Sequence, residues 1–418
     1  MAAGAAAAVE EPPDEPTQGA AREVAREDSI DKIERHAAML SSHLQTLRER
    51  INPPRAEKTL RTFPLSEVAQ LTGIPESTLR HMSNHDQGPS PVRLENRHRA
   101  YTLAQVNELR RFGAEQRPDA ARTLLPHRRG SEHLQILAVT NFKGGSAKTT
   151  TSVHLAHYLA LHGYRVLAID LDPQASLSAM FGAQPELDVQ SNETVYAALR
   201  YDDERRPVRE VIRPTYFDGL DLIPGNLEVM EFEHHTPRAA MDRQPGEPIF
   251  FERLRIAIDE VADDYDVVVL DTPPSLGYLT LAALYAATGM IVTVHPAMLD
   301  VASMNQFLIM MSDLGDVIRG AGAGMDKDFM QYLVTRHDPN DNAQLQIVGR
   351  LRHLFGSDVI APTALQSTAV EAAGLAKRTI YEMEPGHIQR ATLKRARAAQ
   401  DAVNEAILDL MRDAWGRT

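Results

Sequence analysis

At 418 residues, with 43% hydrophobic and 24% charged residues, the chain has room for two or three globular domains and a sizeable core. It contains no cysteine, which excludes disulfides, thiolate metal sites, cysteine nucleophiles and iron–sulfur clusters together. The net charge of −13 argues against simple coating of nucleic acid, and no apolar run has the length needed to span a bilayer. The charge is uneven, however. Between Ile51 and Gly130 there are 13 Lys/Arg against 8 Asp/Glu, so a segment of net +5 stands beside a remainder of −18.

Residues 1–27 are alanine-rich, then acidic and proline-rich, and read as a disordered tail without the basic start of a secretory signal. Over residues 28–52, Ile30, Ile33, Ala37, Leu40, Leu44 and Leu47 recur at helical spacing, an amphipathic helix suited either to packing on its own domain or to dimerisation. Residues 53–115 read as a DNA-binding module. Ser66 can cap a short helix carrying Val68, Ala69 and Leu71, Gly73 allows a tight turn, and Pro75 suits the start of a second helix. A helix, a glycine turn and a second helix exposing Ser77, Thr78 and Arg80 form a helix-turn-helix pattern, followed by Arg93, Arg97 and Arg99. Small helical hairpins also occur in proteins that never touch DNA; the local positive charge favours DNA. The layout is similar to the winged modules of MerR-like proteins. Residues 116–134, with Pro118, Pro126 and Arg128-Arg129-Gly130, read as a linker.

From residue 135 to 418 the pattern changes to buried strands alternating with helices. Ile136–Thr140 is an apolar strand, followed by Asn141-Phe142-Lys143-Gly144-Gly145-Ser146-Ala147-Lys148-Thr149-Thr150 and an apolar helix. Strand, glycine-rich turn and helix is the context of a phosphate-binding loop, in which backbone N–H groups and the helix N-terminus face the phosphates. Lys148 would reach the β- and γ-phosphates and the Thr149 hydroxyl would bind Mg²⁺. Phe142 and Ala147 replace the two glycines of the general pattern, and an alanine costs most where the backbone needs positive φ. Val166–Ile169 is a second buried strand ending at Asp170 and Asp172. A third runs to Asp271, followed by Thr272-Pro273-Pro274-Ser275. Carboxylates at these strand ends lie where open α/β sheets bind ligands, so Asp170 and Asp271 join Thr149 as candidate Mg²⁺ ligands. Further strands at Met290–Val294 and Tyr332–Thr335 complete a doubly wound, mostly parallel sheet.

Lys143, a second lysine at the start of the loop, resembles the signature residue of the deviant Walker A motif in the ParA/MinD family of dimeric P-loop ATPases. With the Asp170-Leu171-Asp172-Pro173-Gln174 and Asp271-Thr272-Pro273-Pro274-Ser275 motifs and the N-terminal helix-turn-helix, the chain resembles the large partition ATPases of plasmids, most closely those of repABC replicons. The resemblance implies an α/β P-loop NTPase domain, preceded by a small all-α or winged helix-turn-helix domain, that binds ATP or ADP with Mg²⁺ and hydrolyses ATP weakly. It implies nucleotide contacts from Lys143, Gly144, Gly145, Ser146, Ala147, Lys148, Thr149, Thr150, Asp172 and Asp271, with Thr335 and Pro362 near the base. Lys143 would reach the nucleotide of a second copy in a homodimer, and Asp172 would orient the attacking water. It also implies a cytoplasmic, nucleoid-associated protein with a ParB-type partner, an operator bound by the N-terminal module, and nonspecific DNA. The late basic residues Lys377, Arg378, Arg390, Lys394, Arg395 and Arg397 suit that nonspecific DNA as well as a solvated helix face. Two other readings stand beside this one: an ATP-responsive transcriptional regulator, and a MinD-like positioning ATPase. Ala398–Trp415 is acidic and amphipathic, which suits packing on the domain and not a membrane anchor.

Overall fold

The computed structural model describes residues 28–51, 58–93, 99–320, 322, 324–384, 386 and 388–417. The expected tail over residues 1–27 and Arg97 lie outside the described residues. The chain divides into two compact units, residues 1–57 and 58–418. In the first unit, α1 spans Ser29–Ile51, and Ile30, Ile33, Met39 and Leu40 are exposed along it. The side chains of Leu44 and Leu47 lie outside the described residues.

The second unit begins with a small winged module. Its helices are α2 (Leu65–Thr72), α3 (Glu76–Asn84) and α4 (Leu103–Gln116). Its strands β1 (Phe63–Pro64), β2 (Val92–Arg93) and β3 (Arg99–Tyr101) pair antiparallel in the order β1-β3-β2. Phe63, Val68, Ile74, Leu79, Tyr101, Val106 and Leu109 are buried at its centre. Gly73 ends α2 at φ +69°, the left-handed conformation that turns the chain into α3. The start of α2 differs from the sequence expectation. Pro64 occupies the cap position with no side-chain cap, and Ser66 falls inside the helix. A full cap appears at α4, where Thr102 and Gln105 form a reciprocal capping box.

The main sheet has seven strands among the described residues: β4 (Gln135–Thr140), β5 (Val166–Asp170), β6 (Arg213–Pro214), β7 (Leu220–Ile223), β8 (Val267–Asp271), β9 (Gly289–Val294) and β10 (Phe329–Val334). Their order is β10-β9-β4-β8-β5-β7-β6, parallel throughout except for β6 against β7. Strands β4, β5, β8 and β9 are buried along their whole length, as a parallel sheet covered on both faces requires. Leu137, Val139, Val267 and Val269 face the P-loop helix Lys148–Leu161 and the C-terminal helix; Ile136, Ala138, Val268 and Leu270 face the helices Glu252–Asp259 and Tyr278–Ala286. This is the doubly wound α/β architecture that the motif order predicts. The C-terminal helix starts earlier than expected, at Arg390, and packs on the P-loop helix with Leu393, Val403, Ile407, Leu408 and Met411 buried in the same core.

The winged module and the sheet domain are joined by buried polar contacts. Arg110 of α4 is 2% exposed and donates to the carbonyls of Leu71 and Leu161 at 2.8 and 2.6 Å, tying α2 to the end of the P-loop helix. Arg61 pairs with Glu67 at 2.6 Å and donates to the Tyr381 carbonyl at 2.8 Å. His154 and His157, one turn apart on the P-loop helix, are enclosed at this junction. Burial lowers the pKa of His154 to about 4 and holds His157 well below the ordinary range. Both imidazoles are therefore neutral in the folded chain and protonate in the unfolded chain as the pH falls through its ordinary value. Stability should accordingly drop between about pH 7 and pH 5, by about 2 kcal/mol from His154 alone. Urea unfolding at the two pH values, repeated on His154→Gln, should show the slope and its reduction in the variant.

Candidate nucleotide site and DNA-facing module

The loop after β4 is held from the ends of β9 and β10. Asn141 donates to the Thr293 carbonyl at 2.6 Å and accepts from the Lys143 amide at 2.9 Å. Thr293 donates to the Ser146 hydroxyl at 3.0 Å, and Thr335 donates to the Ser146 carbonyl at 2.9 Å. Arg336, left-handed at φ +51°, donates to the Gly145 carbonyl at 3.1 Å. The ends of β9 and β10 thereby fix the loop's path. Gly145 at φ +78° and Ala147 at φ +67° turn the backbone so that the loop closes over the start of the P-loop helix. The first amides of that helix have no intrahelical acceptor, which makes its N-terminus an anion cradle.

Asp271 at the end of β8 organises the floor. It is fully buried and accepts from Thr149 Oγ1 at 2.7 Å and Ser152 Oγ at 2.8 Å. Burial raises its pKa against the pull of those two hydroxyls. Lys148 is 6% exposed and its Nζ donates to the Lys143 carbonyl at 3.2 Å. Burial lowers its pKa, opposed by Asp271 and Asp172. Lys143 reaches away from the cleft's floor and pairs with Asp300 at 2.6 Å.

A cleft of about 530 Å³ brings together Gly144 through Thr150 with Asp172, Gln174, Ser176 and Pro274. Asp172 lines it, with one carboxylate oxygen accepting from the Gln174 amide at 2.9 Å. Asp170 does not line it. Strand β5 ends at Asp170, so the side-chain alternation that would aim both aspartates alike stops there. The Asp170 carboxylate is fully buried and accepts from the Ser178 amide and hydroxyl, both at 2.7 Å. Burial raises its pKa. Of the expected metal ligands, Thr149 lines the cleft and donates to Asp271 just beneath it, Asp170 and Asp271 are both fully buried at adjacent strand ends, and Asp172 is the carboxylate on the cleft wall. A hydroxyl, one or two carboxylates and room for phosphate oxygens fit Mg²⁺, which keeps several waters and is not held by an all-protein cage. No cluster of three or more His, Cys, Asp or Glu able to hold a metal occurs among the described residues.

The other expected contacts divide. Thr335 is buried and supports the loop from behind. Pro362 lies in a separate hollow with Gln331, Arg352 and Ile360. Lys377 and Arg378 form the far wall of the nucleotide cleft with Val370 and Gly374. Arg390, Lys394 and Arg395 are exposed on the C-terminal helix. Arg397 is instead tied to Glu67 of α2, the carboxylate that also holds Arg61, so its charge is committed to the junction. A larger hollow of about 720 Å³, between Tyr201, His235, Phe250 and Arg253, contains none of the motif residues.

On the winged module, Ser77, Thr78 and Arg80 are exposed along α3, and Arg80 pairs with Glu76 at 3.0 Å. Arg93 is exposed on β2. Arg99 of β3 donates to Asn84 at 2.5 Å, linking the wing to the end of α3. A second helix with a basic hairpin beside it is the geometry by which such modules enter a major groove and touch flanking phosphates.

The Ala147 conformation carries a stability prediction. A Cβ in the left-handed region costs about 1–2 kcal/mol, and glycine's extra freedom in the unfolded chain costs about 0.4–1 kcal/mol. Ala147→Gly should therefore stabilise the chain by about 0.5 kcal/mol, read as a higher urea midpoint, and Ala147→Val should lower that midpoint.

Residues 134–319 match the AAA domain family, and residues 65–101 match the MerR family of regulatory proteins. Among curated proteins, the chain is 52% identical to "Putative replication protein A" of Rhizobium rhizogenes over 92% of this chain and 95% of that protein. It is 31% identical to protein SopA of Escherichia coli over 79% of this chain and 82% of SopA. Among solved structures, a partition protein superposes with a TM-score of 0.64 at 20% identity, covering 92% of this chain and 99% of the other. The Cyanothece McdA–ATP complex superposes with a TM-score of 0.53 at 17% identity, covering 66% and 97%. These two structural likenesses establish the fold. The relatives and the two family matches lead to one assignment: the chain belongs to the ParA family of P-loop ATPases, in the group that joins a MerR-like helix-turn-helix to the nucleotide-binding domain.

Proposed function

We propose that this chain is a plasmid partition ATPase whose ATP-bound dimer binds nucleoid DNA and is released when a ParB-type partner stimulates hydrolysis. The observation that carries the reading is the arrangement at Asp271, which draws Thr149 and Ser152 of the P-loop helix onto the end of β8 with Asp172 facing them. Mg²⁺, when bound with the nucleotide, supplies charge neutralisation at the phosphates. The chain's own residues do the rest. The loop amides and Lys148 bind the phosphates, Thr149 and Asp271 hold the metal's side of the cleft, and Asp172 orients a water. A carboxylate beside a polyphosphate is a poor base and a workable positioner, which fits weak intrinsic turnover. Lys143 lies outside this set, on Asp300, and would leave that pair to reach the nucleotide of a second copy.

In this reading the winged module binds an operator and represses the chain's own operon, and the exposed Arg390, Lys394 and Arg395 add contacts to nonspecific DNA. No helix among the described residues is long and apolar enough to cross a membrane, and the amphipathic C-terminal helix buries its apolar face in the core. The winged module favours one second reading, a transcriptional regulator that uses ATP only as an effector.

The test is ATP hydrolysis by the purified chain, alone and with nonspecific DNA and its cognate ParB-type partner. Turnover should be slow alone and rise with both. Lys143→Ala should lower stimulated turnover by at least about tenfold while nucleotide affinity stays within about threefold. Undiminished turnover in that variant would overturn the role given to Lys143. Nucleotide binding that switches operator affinity without turnover under any condition would favour the regulator.

A further inference from the structure

The segment Thr272–Gly277 leaves the end of β8, passes over the cleft and enters the helix Tyr278–Ala286. It is anchored at its start, where Thr272 Oγ1 donates to the Val139 carbonyl at 2.9 Å. Its far end is anchored by a residue outside every motif. Glu233, on the helix Glu231–Asp242, accepts from the Tyr278 amide at 2.8 Å with one carboxylate oxygen and from the Leu279 amide at 2.9 Å with the other. A carboxylate on two first-turn amides makes charge-assisted bonds and complements the helix dipole. Gly277 is what admits it. A Cβ there would stand 2.4 Å from a Glu233 carboxylate oxygen, although the Gly277 backbone is ordinary extended chain at φ −95°. Phe250 packs edge-on against Tyr278 at 5.1 Å, closing the same corner. Between the two anchors, Pro274 lines the cleft beside Lys148 and Asp172, and Ser275 is exposed.

We infer that Glu233 is a positioning residue for the segment 272–277, clamping its far end so that Pro274 and Ser275 meet a terminal phosphate from a fixed position. The inference rests on the ATPase reading above. Glu233 is not among the residues lining the cleft, and its effect passes through the backbone of Gly277, Tyr278 and Leu279. It should therefore alter how the site distinguishes ATP from ADP more than how it holds the part common to both.

The experiment is a double-mutant cycle on the full chain with Glu233→Ala, Gly277→Ala and the pair, together with Glu233→Gln. The readouts are affinity for ADP and for a slowly hydrolysed ATP analogue, turnover, and amide exchange of residues 272–286. Glu233→Ala should leave ADP affinity within about threefold, lower the preference for the ATP analogue by roughly tenfold and speed exchange at Tyr278 and Leu279. Glu233→Gln, which keeps one acceptor oxygen, should fall between. Gly277→Ala should copy Glu233→Ala because its methyl expels the carboxylate, and the double variant should be no worse than Glu233→Ala alone. Effects that add in the double variant, or a Glu233→Ala chain with unaltered nucleotide preference, would overturn the inference. A wild-type chain that binds no nucleotide would instead overturn the ATPase reading itself.

Discussion

The site depends on one buried carboxylate. Asp271 ends the strand at the middle of the sheet, between β4 and β5, and takes hydroxyls from two residues of the P-loop helix. A carboxylate fully removed from water is costly unless it is bonded, and here one of its two partners, Thr149, also lines the cleft. Structure and function thus bear on the same bonds. Removing the carboxylate would leave the Thr149 hydroxyl without its acceptor and Ser152 with the Lys148 carbonyl alone, and changing either hydroxyl would leave Asp271 buried with less compensation. The loop itself is determined from behind by Thr293 and Thr335, so it enters the folded state with its phosphate-facing backbone already arranged.

The winged module is built onto this same region and is not suspended beside it. Lys58, at its entrance, donates to the carbonyls of Met180 and Lys377 at 2.6 and 2.7 Å and pairs with Glu382 at 2.8 Å. Met180 and Lys377 both line the nucleotide cleft. Arg61, Glu67 and Arg397 continue the polar seam to α2 and the C-terminal helix. The two neutral histidines of the P-loop helix lie along it, with the His157 ring stacked on Phe217 at 3.8 Å. The winged module is therefore joined to the wall of the nucleotide cleft through buried, bonded side chains.

Much of this was legible in the sequence, for identifiable reasons. The strands β4, β5, β8, β9 and β10 announce themselves because a doubly covered parallel sheet needs uninterrupted apolar runs. The loop announces itself through spacing of Gly144, Gly145, Lys148 and Thr149. Strand β7 was missed because Leu220-Asp221-Leu222-Ile223 is short, interrupted by a charge and near the sheet's edge. Position at a strand end places Asp170 with the candidate metal ligands, whereas in the fold its buried carboxylate takes the Ser178 amide and hydroxyl, partners that strand position alone does not reveal. Arg397 reads as one of a basic cluster until folding brings Glu67 to it from far away in the chain. Glu233 carries no signal of its own. Its partners are backbone amides of a distant segment, and only Gly277, a glycine just past a proline pair, hints that something must approach closely.

The most direct test of the nucleotide site is calorimetric titration of ATP into the chain with and without Mg²⁺, for the wild type and for Asp271→Asn. If Asp271 and Thr149 form the metal's side of the cleft, Mg²⁺ should tighten ATP binding by about tenfold or more in the wild type, and that gain should disappear in a folded Asp271→Asn chain. A variant that keeps the full Mg²⁺ dependence, or a wild type that shows none, would contradict the assignment.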